Sequence, residues 1–273
     1  MSERNEFSPR KTGHAQLATI VPWIIPVVLV ILWILVTHAR LVPAYLIPPP
    51  LEVIRTCYTY VFLNPGEAPY AGRFAGDAVA SLARITVGFS LAAAIGLPLG
   101  ILSGRVSLVS KLLNTFINGL RAVPGITWLP LAMVWFGIGI KTTVFLVALA
   151  AFFPVYLNAA EGARQINPRL LQAGAMMGVG RLRGSFAILL PGAMPHIITG
   201  LRLGLGISWA YLVLGELTGV PDGLGAVIMD ARMLGRIDMI LVGMILIAII
   251  GKLSDGMLVS LLKVSLKSAK RMY

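Results

Sequence analysis

The chain is short of charge, of acidic residues and of cysteine. Only 12% of its 273 residues are charged, against about 25% in a soluble domain, and 57% are apolar. That balance excludes a soluble enzyme, a disordered protein and a nucleic-acid module as leading readings. Acidic residues number 11 against 23 basic ones, a net charge of +12. In a soluble protein such an excess points to nucleic acid. In so apolar a chain it points to lysines and arginines on the cytoplasmic loops of a membrane protein, with the bilayer as partner and no nucleic acid. The single cysteine, Cys57, cannot close an intrachain disulfide and reports no oxidising compartment. There is no G-x-x-x-x-G-K-[ST] phosphate loop, no H-E-x-x-H and no G-x-S-x-G. His14, His38 and His196 lie on separate segments without metal spacing. The chain is therefore expected to carry no catalytic site, no metal and no cofactor of its own.

What it has instead is a series of long apolar runs. The first, Ile20 to Thr37, is 18 residues without a charge. It is longer than a signal-peptide core, and His38 and Arg40 follow where a small-residue cleavage site would stand. It is read as a retained span. Five more runs follow: Val79–Leu102, Leu112–Ile140, Thr142–Leu157, Phe186–Leu217 and Met239–Leu262. As helices rising ~1.5 Å per residue the runs extend roughly 24 to 48 Å, on the scale of a hydrocarbon core of ~30 Å. None alternates in polarity as the strands of a membrane barrel do. The expected fold is an all-α polytopic membrane protein of six transmembrane helices.

Six spans put both termini on one side, and charge chooses the side. With the N-terminus inside, the inner segments hold 13 lysines and arginines and the outer ones hold 6. The bias predicts both termini in the cytoplasm. The layout is then a cytoplasmic tail over 1–19, the first span over 20–37, an outer connection over 38–76 and a core over 77–262. A basic cytoplasmic tail over 263–273 completes it. The outer connection contains the stiff run Pro48-Pro49-Pro50 and an amphipathic stretch, Leu51 to Phe62, suited to the membrane interface. A second outer segment, Thr218 to Asp238, opens on the turn signal Val220-Pro221-Asp222-Gly223.

The inner loop over 158–185 is the most informative part. Asn167-Pro168 starts a helix well, with asparagine as cap and proline in the first helical position. Leu170, Leu171, Ala175 and Met176 fall partly on one face. Gly178 and Gly180 end the helix, since glycine enters a left-handed turn cheaply. In this loop Gln172-Ala173-Gly174, Gly178, Ile188 and Leu190-Pro191 resemble the EAA loop of bacterial ABC importer permeases. That pattern is Glu-Ala-Ala, three residues, Gly, nine residues, Ile, one residue and Leu-Pro. The spacing is complete here; the glutamate and the third alanine are replaced. Other stretches are similar to the permease subfamily for taurine, aliphatic sulfonates and nitrate: Leu46–Pro50, Ser81–Arg84, Trp128–Gly139, Pro191–Pro195, Thr199–Gly206, Trp209 and Gly215–Leu217.

The resemblance implies a type I importer fold and a homodimer of permease subunits. It implies two cytoplasmic ABC ATPase subunits, which hold the ATP and magnesium, and an extracytoplasmic substrate-binding protein. Gln172, Ala173, Gly174, Gly178, Ile188, Leu190 and Pro191 would couple the permease to the ATPases. The cargo implied is a small anion of the sulfonate, taurine or nitrate type; related permeases serve aromatic carboxylates or vitamin precursors.

Charges within the spans carry the rest. A charge at mid-bilayer costs ~2.5 kcal/mol or more, so it faces protein or water. Structural roles are expected for Arg84, snorkelling near the outer end, for Glu216 near the outer face, and for Lys252 with Asp255, three apart and able to pair. Arg121 and Arg202 reach mid-membrane and are candidates for the translocation path of an anion. Arg121 precedes Pro124-Gly125, which can open a helix; an arginine simply bonded to the opened carbonyls is the competing reading. Trp128 and Trp135, seven apart on one helical face, are read first as aromatic packing between spans, and Trp128 second as a candidate plug. An ion-coupled secondary transporter is disfavoured by the lack of an internal repeat and of a mid-span acidic pair. An intramembrane enzyme is disfavoured by the missing motifs.

Overall fold

Apolar runs without water to bond their backbone must satisfy it internally, and helices do so. The computed structural model describes residues 14–180 and 184–265. Arg181, Arg183, the first 13 residues and the tail beyond 265 lie outside the described residues. The elements in order are α1 (His14–His38), α2 (Pro50–Phe62), α3 (Phe74–Arg105), α4 (Ser107–Ala122), a 3-10 turn (Gly125–Thr127), α5 (Trp128–Phe136) and α6 (Ile140–Gln165). Then come α7 (Pro168–Met176), a π-helical turn (Ser185–Leu189), α8 (Leu190–Glu216), α9 (Leu224–Met233) and α10 (Ile237–Ser265). The protein is an all-helical polytopic membrane protein.

Among the described residues α3, α6, α8 and α10 are each long and apolar enough to cross a bilayer. The third run of the sequence does not form one straight span. It divides into α4 and a second arm, the 3-10 turn with α5, bent by 83° about the break at Val123–Pro124. Pro124 has no amide to give and Gly125 no side chain to pack, so the helix ends there. The pair still crosses. Gly88, Gly96 and Gly100 of α3 meet Val147, Val155 and Tyr156 of α6 in rising order, so α3 and α6 run parallel and the chain between them must return across the bundle. The described apolar part of α1, Ile24–His38, is shorter than a full crossing.

The α3–α6 contact is built on small residues. Gly88, Ala92, Gly96, Gly100 and Gly104 repeat every fourth position on one face of α3. A Cβ on Gly100 would stand 2.5 Å from the Tyr156 carbonyl oxygen, so glycine permits the two backbones to touch. On its other face α6 packs antiparallel to α8, with Gly200 against Asn158 and Gly215 against Thr143. Val155, Ala159, Ala193, Met194, Ile197 and Ile198 form the centre of that contact. A second core joins α2, α9 and α10 through Val53, Tyr60, Val227, Met239 and Val242.

Two connecting segments carry helix that the sequence pattern did not place. Residues 158–165 continue α6 about two turns beyond Leu157. The segment Thr218 to Asp238 contains α9, ten residues that follow the expected turn at Val220–Gly223.

Candidate functional site

Arg121 closes α4 and Trp128 opens α5, one on each side of the break. Together with Val123, Pro124 and Gly125 they line a cavity of about 430 Å³. Its other walls are Leu149, Phe153, Pro154, Leu157 and Asn158 of α6, and Leu203, Ile207 and Tyr211 of α8. The Trp128 indole N–H is buried and has no acceptor among the described residues. Arg121 is exposed and likewise makes no ion pair or hydrogen bond among the described residues. Arg121, whose guanidinium only donates, thus stands unpaired among the described residues at a chamber with apolar sides, whereas the Trp128 N–H is sealed from it. The break carbonyl of Pro124 is already taken, accepting from the Thr127 hydroxyl at 2.6 Å, so Arg121 does not fill the competing role of bonding opened carbonyls. Sequence reasoning missed Asn158 and Tyr211, because each belongs to another helix brought in by packing.

Arg202 stands elsewhere. Its Nε and NH2 each donate to the Asp255 carboxylate at 2.9 Å, a two-pronged pair joining α8 to α10. It is not among the residues lining the cavity of Arg121. This also corrects the expected Lys252–Asp255 pair: Asp255 turns to the neighbouring helix, where a planar guanidinium meets both oxygens. Trp135 parts from Trp128 and packs edge-on to Phe145, ring centres 6.1 Å apart.

Arg84 does not snorkel. It is buried against α8, its NH1 donating to Glu216 Oε1 at 2.7 Å and to the Asp222 carbonyl at 2.7 Å. Its NH2 pairs with the Asp222 carboxylate. Glu216 also accepts from the Ser81 hydroxyl at 2.8 Å and from the Gly225 amide at 2.8 Å. The Gly223 amide donates to Asp77 and the Leu224 amide to Ser81. Three amides at the start of α9, which α-helical bonding leaves without partners, are therefore capped by side chains of α3 and α8. The two carboxylates among them also suit the positive end of the helix dipole.

At the opposite end of α3 lies α7. Asn167 caps it as expected, its side chain accepting from the Arg169 amide at 2.9 Å. Gly178 has φ +79°, the left-handed turn expected of it. Gly174 is buried, and a Cβ there would stand 2.6 Å from Ile188 Cδ1. Leu171, Gly174 and Ala175 face an apolar groove shared with Leu97, Ile101, Ile188 and Leu190. Gln172 and Ala173 are exposed. So are Leu170, Met176 and Met177, the last two almost completely at 90% and 83%. Pro191 sits in the first turn of α8, where its missing amide costs nothing.

The fold is that of a multi-pass membrane subunit with a broken span and a short helix at one end. Residues 96–263 match the family of binding-protein-dependent transport system inner membrane components, and the chain belongs to that family. It is 32% identical over 247 residues to a protein of Bacillus subtilis named as an aliphatic sulfonates transport permease, covering 90% of this chain and 87% of that one. It is 34% identical to the taurine transport system permease protein of Escherichia coli, covering 84% and 82%. It is 32% identical to the nitrate import permease protein of Synechocystis, covering 77% and 76%. In fold it is similar to a chain of the MetNI methionine ABC transporter in an inward-facing conformation. That match has TM-score 0.57 and 20% identity, over 70% of this chain and 97% of the other. The protein is thus the non-catalytic inner-membrane permease of an ATP-driven importer, and works with separate ATPase and substrate-binding partners.

Proposed function

We propose that the chain forms a homodimer, joins two cytoplasmic ATPase subunits and an extracytoplasmic binding protein, and imports a small anion of the sulfonate, taurine or nitrate type. The observation that carries the cargo class is Arg121, exposed and without a partner among the described residues in the wall of this cavity. An unpaired guanidinium favours an oxyanion and leaves it free to move on, as a path requires. The sulfonate, taurine and nitrate relatives support the same class. Phe153, Trp128 and Tyr211 in the wall favour, as a second reading, an aromatic carboxylate or a vitamin precursor. Arg121→Gln tests the role of the arginine. Uptake of labelled taurine and nitrate should fall while the complex assembles and hydrolyses ATP as before. Unchanged uptake of a transported anion would remove Arg121 from the path.

In this reading the termini and α7 are cytoplasmic, supported by the charge bias of the sequence. Gln172, Ala173, Gly174, Gly178, Ile188, Leu190 and Pro191 act as the coupling element. The outward face of α7 supports this: methionines adapt to a partner surface, and Met176 and Met177 present an apolar patch next to Gln172 and Ala173. Surface labelling of a cysteine placed at Ala173 in a Cys57→Ser chain tests the side. Labelling from outside intact cells would reverse it.

A further inference from the structure

The cavity has a direction. Its α6 wall runs from Leu149 to Asn158 and its α8 wall from Tyr211 back to Leu203. These helices are antiparallel, so Tyr211 stands at one end, beside the start of the α6 wall. The α7 end of the bundle lies the other way, beyond Asn158. Tyr211 reaches across to the broken span. A Cβ built on Gly125 would fall inside the Tyr211 phenol, overlapping its Oη, Cζ and Cε1. The phenol is therefore seated in the notch that the missing side chain of Gly125 leaves at the 83° break. Its hydroxyl makes no hydrogen bond among the described residues. Among the described residues, packing alone holds the ring in place.

We propose that Tyr211 is the aperture of this cavity. Its phenol, resting on Gly125, closes the end of the chamber away from α7, and cargo passes that end only when the ring swings out. Gly125 is the seat: any side chain there expels the ring. Closure is supplied by the ring, whose Cζ and Cε1 occupy the notch together with the hydroxyl and stay there without it. The proposal rests on the reading of the cavity as the translocation path, but its test reads closure without reference to cargo.

The test uses the full permease–ATPase complex in vesicles, without nucleotide, in a Cys57→Ser chain carrying Asn158→Cys as reporter. The probe is 2-sulfonatoethyl methanethiosulfonate, an anionic thiol reagent that does not cross membranes, applied to each face in turn. From the face at which the parent reacts least, Tyr211→Ala and Gly125→Ala should each raise the modification rate several-fold. Tyr211→Phe should leave it unchanged. The double variant Gly125→Ala/Tyr211→Ala should match Tyr211→Ala alone, because both changes remove the same contact. Should Tyr211→Ala fail to assemble, Gly125→Ser on an intact Tyr211 reads the same seat. The proposal is overturned if Tyr211→Ala or Gly125→Ser reacts like the parent, or if Tyr211→Phe opens the chamber. Loss of closure in Tyr211→Ala with unchanged transport in Arg121→Gln would keep the aperture and discard the anion path.

Discussion

Arg84 of α3 and Glu216 of α8 meet at 2.7 Å with neither side chain exposed, 3% and 0%. A charge pair so placed is held by geometry. Glu216 accepts four bonds, from Arg84, the Ser81 hydroxyl on both oxygens, and the Gly225 amide. Removing one partner leaves the other charged and buried, which costs ~3–5 kcal/mol. Arg84→Gln should therefore lower the thermal unfolding midpoint of the purified permease in detergent. The double change Arg84→Met/Glu216→Met should recover part of that loss. An Arg84→Gln protein that melts with the parent would show that the pair carries no stability.

The turn after α7 gives a second prediction. Gly178 has φ +79° and open space where a Cβ would stand, so a substitution strains the backbone without a clash. A residue other than glycine costs ~1–2 kcal/mol in that region, and a β-branched one resists it most. Gly178→Val should misplace α7 and lower substrate-stimulated ATP hydrolysis and uptake together, with membrane insertion intact. Gly174→Ala should be milder, since it meets only the flexible end of Ile188. Gln172→Glu, on an exposed position, should be tolerated. Gly178→Val with parental hydrolysis and uptake would remove this turn from the coupling element.

Alkaline pH supplies a third. Tyr60 of α2 is buried and donates to Asp77 at 3.0 Å. Burial first, and then the Asp77 charge, push its phenol well above its usual range. The folded protein thus keeps the Tyr60 proton at pH values where the unfolded chain, with a phenol near ~10, has lost it. Stability from this group is complete below about pH 10 and falls as pH rises beyond it. Unfolding midpoints measured from about pH 9 to about pH 11 should drop less steeply in Tyr60→Phe than in the parent. Parallel slopes would refute the assignment.

Arg202 and Asp255 give a fourth. Their two-pronged contact joins α8 to α10, so Arg202→Gln and Asp255→Asn should each destabilise the protein. The double change should cost less than the sum of the two. Lys252→Gln, on an exposed position, should leave the midpoint unchanged. Additive losses in the double variant would mean that the two side chains act separately.

Local signals in the sequence were enough for α7. A capping asparagine, a proline after it and a glycine beyond the last turn are all short-range chemistry, and its start and its turn fall where that chemistry puts them. The family spacing across Gln172 to Pro191 was legible for the same reason. Arg84 was misjudged because its partner lies 132 residues away and only packing brings it in. Asp255 illustrates the same limit: a lysine three residues off was the visible partner, and an arginine 53 residues off was the real one. The break at Pro124-Gly125 was visible as a break, but its 83° angle depends on what α5 packs against. Tyr211 gave no signal, since one tyrosine in an apolar run looks like any other.

The cap on α9 also bears on how the protein is made. Ser81 waits for Glu216 across 135 residues of chain, and Arg84 for Asp222 across 138. At ~5–20 residues per second, synthesis of that interval takes roughly seven to twenty-eight seconds. Throughout it Arg84 is a lone cation in an apolar helix, at a cost that only water or lipid headgroups can lower. The polar shell of an early helix is thus completed by late ones: Arg84 and Ser81 gain their carboxylate partner only once residue 216 has been made, and the start of α9 gains its caps in the same step.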